Sequence, residues 1–136
     1  MMERKAWENL AAARLLLEAE DPCPNAAASR AYYAAYQACW AAMVHEEGIE
    51  PPEVRPGSKY FRHADLPHEA RDAGVLDERE SKLLADLCDL RVEADYYEDV
   101  DVTVEEVGGA LQRVDSLVRG LVGEEADLSL RSVLEE

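Results

Sequence analysis

Asn25-Ala-Ala-Ala-Ser-Arg-Ala-Tyr-Tyr-Ala-Ala-Tyr-Gln-Ala-Cys-Trp-Ala-Ala-Met-Val-His-Glu-Glu47 decides the fold of this chain. No glycine or proline interrupts it, and its apolar residues recur at helical spacing. Tyr32, Ala35, Cys39 and Ala42 fall on one stripe, and Tyr33, Tyr36, Trp40 and Met43 on the next. Two adjacent apolar stripes bury much of a helix's circumference. The segment therefore reads as the central helix of a bundle, or as one packed against both a core and another subunit. Its alanines let neighbouring helices approach closely. Asn25 is placed to cap it and Gly48 to end it.

Outward from this helix, a first helix is expected over about Glu3 to Glu20, with Trp7, Leu10, Arg14 and Leu17 on one face and Leu15 and Leu16 widening the stripe. Asp21-Pro-Cys-Pro-Asn25 breaks it, and so short a break favours an antiparallel neighbour. Residues 49 to 63 read as a loop rich in proline and glycine. A short helix follows over about Asp65 to Ala73, ended by Gly74. Asp77 and Glu80 form a capping box for a third long helix reaching about Tyr97, with Leu83, Leu87, Leu90 and Ala94 as its stripe, flanked by Leu84, Cys88 and Arg91. Thr103 and Glu106 form another for a fourth, in which Val107, Leu111, Val114, Val118 and Leu121 face inward before Gly123 stops it. A last short helix, capped by Asp127, carries Leu128, Leu130, Val133 and Leu134. No stretch alternates with period two long enough for a strand. The expectation is one all-α domain over residues 1–136, an antiparallel up-and-down bundle of four main helices plus short extra helices.

The 136 residues suit a single core, and the 48% hydrophobic content is enough to fill it. No apolar run is long enough for a membrane span, and Met1 to Asn9 has no apolar signal region, so a cytoplasmic protein is expected. Cys23, Cys39 and Cys88 are odd in number and lack metal-ligand spacing, which argues against disulfides and zinc. No two of His45, His63 and His68 fall on one helical face with a carboxylate in metal-ligand spacing, so no metal site is assigned, and no cofactor is expected. Thirty acidic against 14 basic residues leave a net charge of -16, which repels nucleic acid at long range and excludes a broad basic groove. Solubility is the simplest reason for such acidity.

Three constellations stand out. Arg91 and Asp95 lie one turn apart on the third long helix, at the border of its apolar stripe, where a guanidinium needs a carboxylate partner or a ligand phosphate. The stretch Val54 to His63 holds Arg55, Lys59 and Arg62 without an acid, interleaved with Tyr60 and Phe61. Phosphate contacts with base stacking would suit single-stranded RNA or a nucleotide, and a solvated loop pinned by its aromatics would show the same composition. Tyr32, Tyr33, Tyr36 and Trp40 read as core or interface. Arg30 beside them either pairs with an acid on a neighbouring helix or joins Arg91 on an anion.

Ala28-Ser-Arg-Ala-Tyr-Tyr-Ala-Ala-Tyr-Gln-Ala-Cys-Trp40 resembles the signature helix of HEPN-domain proteins. Ala12-Ala-Arg-Leu-Leu-Leu17, His63 at the start of a linking segment, and Leu90-Arg-Val-Glu-Ala-Asp-Tyr96 are similar to other parts of that family, over Trp7 to about Leu121. The resemblance implies a dimerising bundle of four or five helices with a link to nucleotides or RNA. It also implies kinship with toxins that cleave RNA without metal and pair with a small nucleotidyltransferase antitoxin. The family's catalytic arginine, followed after four to six residues by a histidine, maps onto Arg91. Tyr96 occupies the nearest histidine position, and no histidine follows His68. A tyrosine, with a pKa near 10, is a poor general base at neutral pH.

The resemblance thus favours a regulatory module that binds a nucleotide or RNA, or a nucleotidyltransferase partner, with Arg91, Asp95 and Tyr96 as its site. The alternatives are an active ribonuclease toxin, in which His63 would have to fold near Arg91, and a helical scaffold without a ligand. A homodimer is expected, its interface drawn from the second or third long helix.

Overall fold

The computed structural model describes residues 2–99 and 101–123. Its elements are α1 (Met2–Glu18), α2 (Pro24–His45), β1 (Glu53–Arg55), β2 (Ser58–Lys59), α3 (Leu66–Asp72), α4 (Glu78–Tyr96) and α5 (Val104–Val122). The all-α bundle is as expected. The helix proposed after Asp127 lies outside the described residues.

α2 is the central helix. It packs against α1, α4 and α5, and buries residues around most of its circumference, from Ala27 to Met43. Ala34, Ala35 and Ala38 are fully buried, so neighbouring helices come close to its backbone. Side-chain pairs fix the directions. Glu3 meets His45 and Asn9 meets Gln37, so α1 runs antiparallel to α2. Ser29 meets Asp95 while Arg91 lies over Tyr32, so α4 is antiparallel to α2 as well. Arg14 and Arg119 both bind Asp115, and Arg119 also covers Trp7, which sets α5 antiparallel to α1. The result is an up-and-down bundle. One seam of α2, through Arg30, Tyr33, Gln37, Trp40 and Val44, stays half-buried or exposed, so its own chain covers the double stripe only in part.

The helix ends follow the capping residues, with one correction. Asp77 with Glu80 and Thr103 with Glu106 form complete capping boxes. Asn25, however, does not cap α2. Pro24 has the fixed φ suited to a first helical turn, and the helix starts there, after Cys23, without a side-chain cap. The Asn25 side chain instead reaches the segment before α5. Its Oδ1 accepts from the Val102 amide at 3.1 Å, and its Nδ2 donates to Asp101 at 3.0 Å. A small second core forms beside this tie, from Ala27, Ala28, Val102 and Val107.

Residues 49 to 63 are not wholly loop. β1 and β2 pair antiparallel around Pro56 and Gly57, and Gly57 has φ of 79°, a value that glycine tolerates and other residues rarely adopt. Phe61 anchors the end of this hairpin with no exposed surface, its ring 5.2 Å from that of Trp40. Tyr36 reinforces the anchor by donating its hydroxyl proton to the Phe61 carbonyl. On α4 the buried residues are Ser81, Leu84 and Leu87. Of the expected stripe, Leu83, Leu90 and Ala94 are half-buried, so the helix is turned slightly from the predicted orientation.

Candidate functional site

The anchored hairpin delivers His63 onto the tyrosines of α2. Its ring centroid lies 4.5 Å from Tyr36, 5.5 Å from Tyr32 and 6.0 Å from Tyr33. Its Nδ1 is 2.5 Å from the Tyr32 hydroxyl. Nε2 makes no hydrogen bond among the described residues. α4 lays the Arg91 guanidinium over two of the same tyrosines, with Cζ 5.2 Å from the Tyr32 centroid and 5.7 Å from that of Tyr33. Arg30, one turn before Tyr33 on α2, places its Cζ 5.8 Å from the Tyr33 ring. Two guanidiniums and an imidazole thus surround one pair of tyrosines.

The charge on this cluster is not neutralised from within. Arg91 and Asp95 do not form the ion pair their spacing allows. Asp95 accepts a hydrogen bond from Ser29 Oγ at 3.2 Å. Arg91 Nη2 points at Cys88 Sγ, 4.0 Å away, and its Nε is buried without a hydrogen-bond partner. Arg30 donates to the Asn9 amide oxygen at 3.1 Å. Among the described residues, neither arginine has a carboxylate within ion-pair distance. An unpaired cation at a half-buried position is well suited to an incoming anion.

Burial sets the protonation states. It raises the Tyr32 hydroxyl far above its ordinary range, with nearby Cys88 adding to the effect. It pushes Tyr36 up to about 12, with Tyr33 next in weight. His63 is shifted the other way: burial first, then the positive Arg91, hold its pKa below the ordinary value. At neutral pH both tyrosines keep their protons and His63 is an uncharged imidazole. Which of its nitrogens carries the proton follows from whether Tyr32 donates to Nδ1 or accepts from it.

Arg91, Arg30 and His63 come together here. Tyr96 does not join them: at the end of α4 it is 70% exposed and makes no hydrogen bond or ring contact with the cluster. Arg55, Lys59 and Arg62 are exposed on the hairpin and just after it, and none of their side chains makes a hydrogen bond, ion pair or ring contact with the cluster. Cys88, Tyr32 and Tyr33, read from sequence as interior residues, form its floor. The available signal was Arg30 one turn before the tyrosines on a helix otherwise free of charge. No group of His, Cys, Asp and Glu suited to a metal occurs among the described residues. No described helix is long and apolar enough to cross a membrane. An open cleft of about 860 Å³ between α4 and α5, lined by Asp77, Lys82, Asp86 and Arg113 among others, contains none of these site residues.

Fold and cluster together describe a helical bundle in which arginines and a histidine gather against the tyrosines of its central helix. The chain belongs to the HEPN domain family, whose profile matches residues 2–124. No curated protein and no solved structure matches it.

Proposed function

We propose that this HEPN domain binds a nucleotide or single-stranded RNA through a phosphate held by Arg91, with Arg30 and His63 beside it. The carrying observation is the half-buried Arg91 guanidinium, fixed over Tyr32 and Tyr33 with its Nε unpaired and no carboxylate partner. In a chain of net charge -16, a cation left without its carboxylate is positioned for an external anion. The cluster crowds Tyr33 with rings and guanidiniums, so the phosphate is the group recognised and the base contributes little. Exposed Arg55, Lys59 and Arg62 would add longer-range attraction.

The test is fluorescence anisotropy with a labelled oligouridylate. Wild type should bind, and Arg91→Gln should weaken binding by about tenfold or more, with a salt slope smaller by about 0.7 for one lost single-strand phosphate contact. Equal binding by both proteins would remove the reading.

One observation favours a second reading. His63 does fold beside Arg91, and its Nε2 is uncommitted. That is the arrangement an active ribonuclease would need, with Arg91 stabilising the phosphorane and His63 moving a proton. With Tyr96 in the usual histidine position, cleavage of single-stranded RNA without metal should be weak or absent. Robust cleavage that disappears in Arg91→Ala would make this reading the correct one. A homodimer, and a nucleotidyltransferase of the antitoxin type as partner, are proposed on the family relationship alone.

A further inference from the structure

We infer that His63 is a second phosphate ligand of this site and takes up a proton as the anion binds, so that the site holds its ligand more tightly as the medium acidifies. This rests on the phosphate-binding reading and assigns its regulation. The geometry makes His63 and Arg91 two arms around one tyrosine: His63 Nδ1 is fixed at the Tyr32 hydroxyl, and the Arg91 guanidinium covers the Tyr32 ring. With Nδ1 occupied, Nε2 is the nitrogen available to a ligand.

The groups facing His63 explain the linkage. From α2 come the phenols Tyr32, Tyr33 and Tyr36, with Arg30 behind Tyr33. From α4 come Arg91 and, behind Tyr32, Cys88. In its own segment Arg62 and Asp65 are both exposed, and neither side chain makes a hydrogen bond or ion pair with the imidazole. No carboxylate lies within ion-pair distance of it among the described residues. Protonating His63 in the free protein therefore puts a second positive charge beside Arg91 without a counter-charge. An anion between the two reverses the balance, because it offers the imidazolium a charge-assisted hydrogen bond. The downward shift of the free imidazole by burial and by Arg91 agrees with this.

By linkage, uptake of at most one proton strengthens binding by at most about tenfold per pH unit between the free and bound titrations of His63. The probe is a 2′-O-methylated hexauridylate without terminal phosphates. It resists cleavage, and its phosphodiesters keep their single charges across this range. Wild type should bind it several-fold more tightly at about pH 6 than at about pH 8. His63→Gln should lose most of that pH dependence while keeping Arg91-dependent binding. General loss of negative charge on acidification acts equally on both proteins, so the difference between them isolates His63.

Proton NMR of the wild-type histidines gives a readout that needs no variant to fold. His45, beside Glu3, and exposed His68 serve as internal references. The His63 titration should move up by about one unit or more when the oligonucleotide saturates the protein. Arg91-dependent binding with an unmoved His63 titration and the same pH profile in His63→Gln would overturn the inference alone. Absence of Arg91-dependent binding at every pH would overturn the phosphate reading beneath it.

Discussion

Arg91 shows what spacing can and cannot reveal at the scale of a single residue. The sequence places it at the edge of an apolar stripe one turn from Asp95, and both features are real. The ion pair is missing because α2 offers each side chain a different neighbour: Ser29 for the carboxylate, and the faces of Tyr32 and Tyr33 for the guanidinium. Helical spacing cannot register a competitor from another element. The energetic consequence is a small stability cost for removal. Breaking a buried pair costs about 3–5 kcal/mol, whereas stacking a partly exposed guanidinium on an aromatic ring contributes about 0.5–1 kcal/mol. Removal also relieves a buried Nε that has no partner. Urea unfolding of Arg91→Gln should thus differ from wild type by less than about 1.5 kcal/mol, even as ligand binding is lost. A cost above about 3 kcal/mol would mean that the residue holds the fold together. His63 adds a pH signature. Its pKa in the folded state lies below the ordinary value, so its contribution to stability is present above about pH 6.5 and is lost as pH falls through the folded value. Wild type should lose more stability than His63→Gln over that acid range, as measured by urea midpoints.

Helices are legible where the local signal is complete. Asp77–Glu80 and Thr103–Glu106 each contain both halves of a reciprocal hydrogen-bonded cap within four residues, and the structure uses both. Asn25 carries the chemistry of a cap but is overridden by Pro24 on one side and by a contact 77 residues away on the other. The hairpin was hidden for a different reason. Strands of three and two residues are too short to show alternation, although the Pro56-Gly57 pair is a turn signal in its own right. Asn25→Ala should accordingly act at a distance. Loss of the bond to the Val102 amide should cost about 1–2 kcal/mol. Hydrogen exchange at Val102 should accelerate, with the amides of the first turn of α2 unchanged. Faster exchange at the start of α2 would restore Asn25 to the role of a cap.

For the whole molecule, charge separates two kinds of association. A chain of net charge -16 repels a second copy of itself, and salt screens that repulsion. Salt has the opposite effect on a phosphate contact, because the counterions released on binding must be reabsorbed. If two copies pair, the two expected helices offer the half-buried seam of α2 at Tyr33 and Trp40 and, at the end of α4, exposed Tyr96 with neighbouring Tyr97. Sedimentation at micromolar concentration should show a species heavier than the 15.1 kDa monomer, in a fraction that grows with salt while oligonucleotide binding declines. Only monomer at every salt concentration would remove the homodimer. The bundle itself was readable from the double stripe of α2, and Arg30, His63 and Arg91 were each candidates in the sequence, but their assembly was not readable, because the cluster forms only where three separate stretches of chain converge. That convergence has a consequence for how the sequence tolerates change. Tyr32 is a core residue and also part of the floor that holds His63 and Arg91, so a substitution there is penalised twice, once in folding and once in binding. At exposed Gln112, Arg113 and Ser116 on α5, which belong to neither core nor cluster, a substitution carries neither penalty.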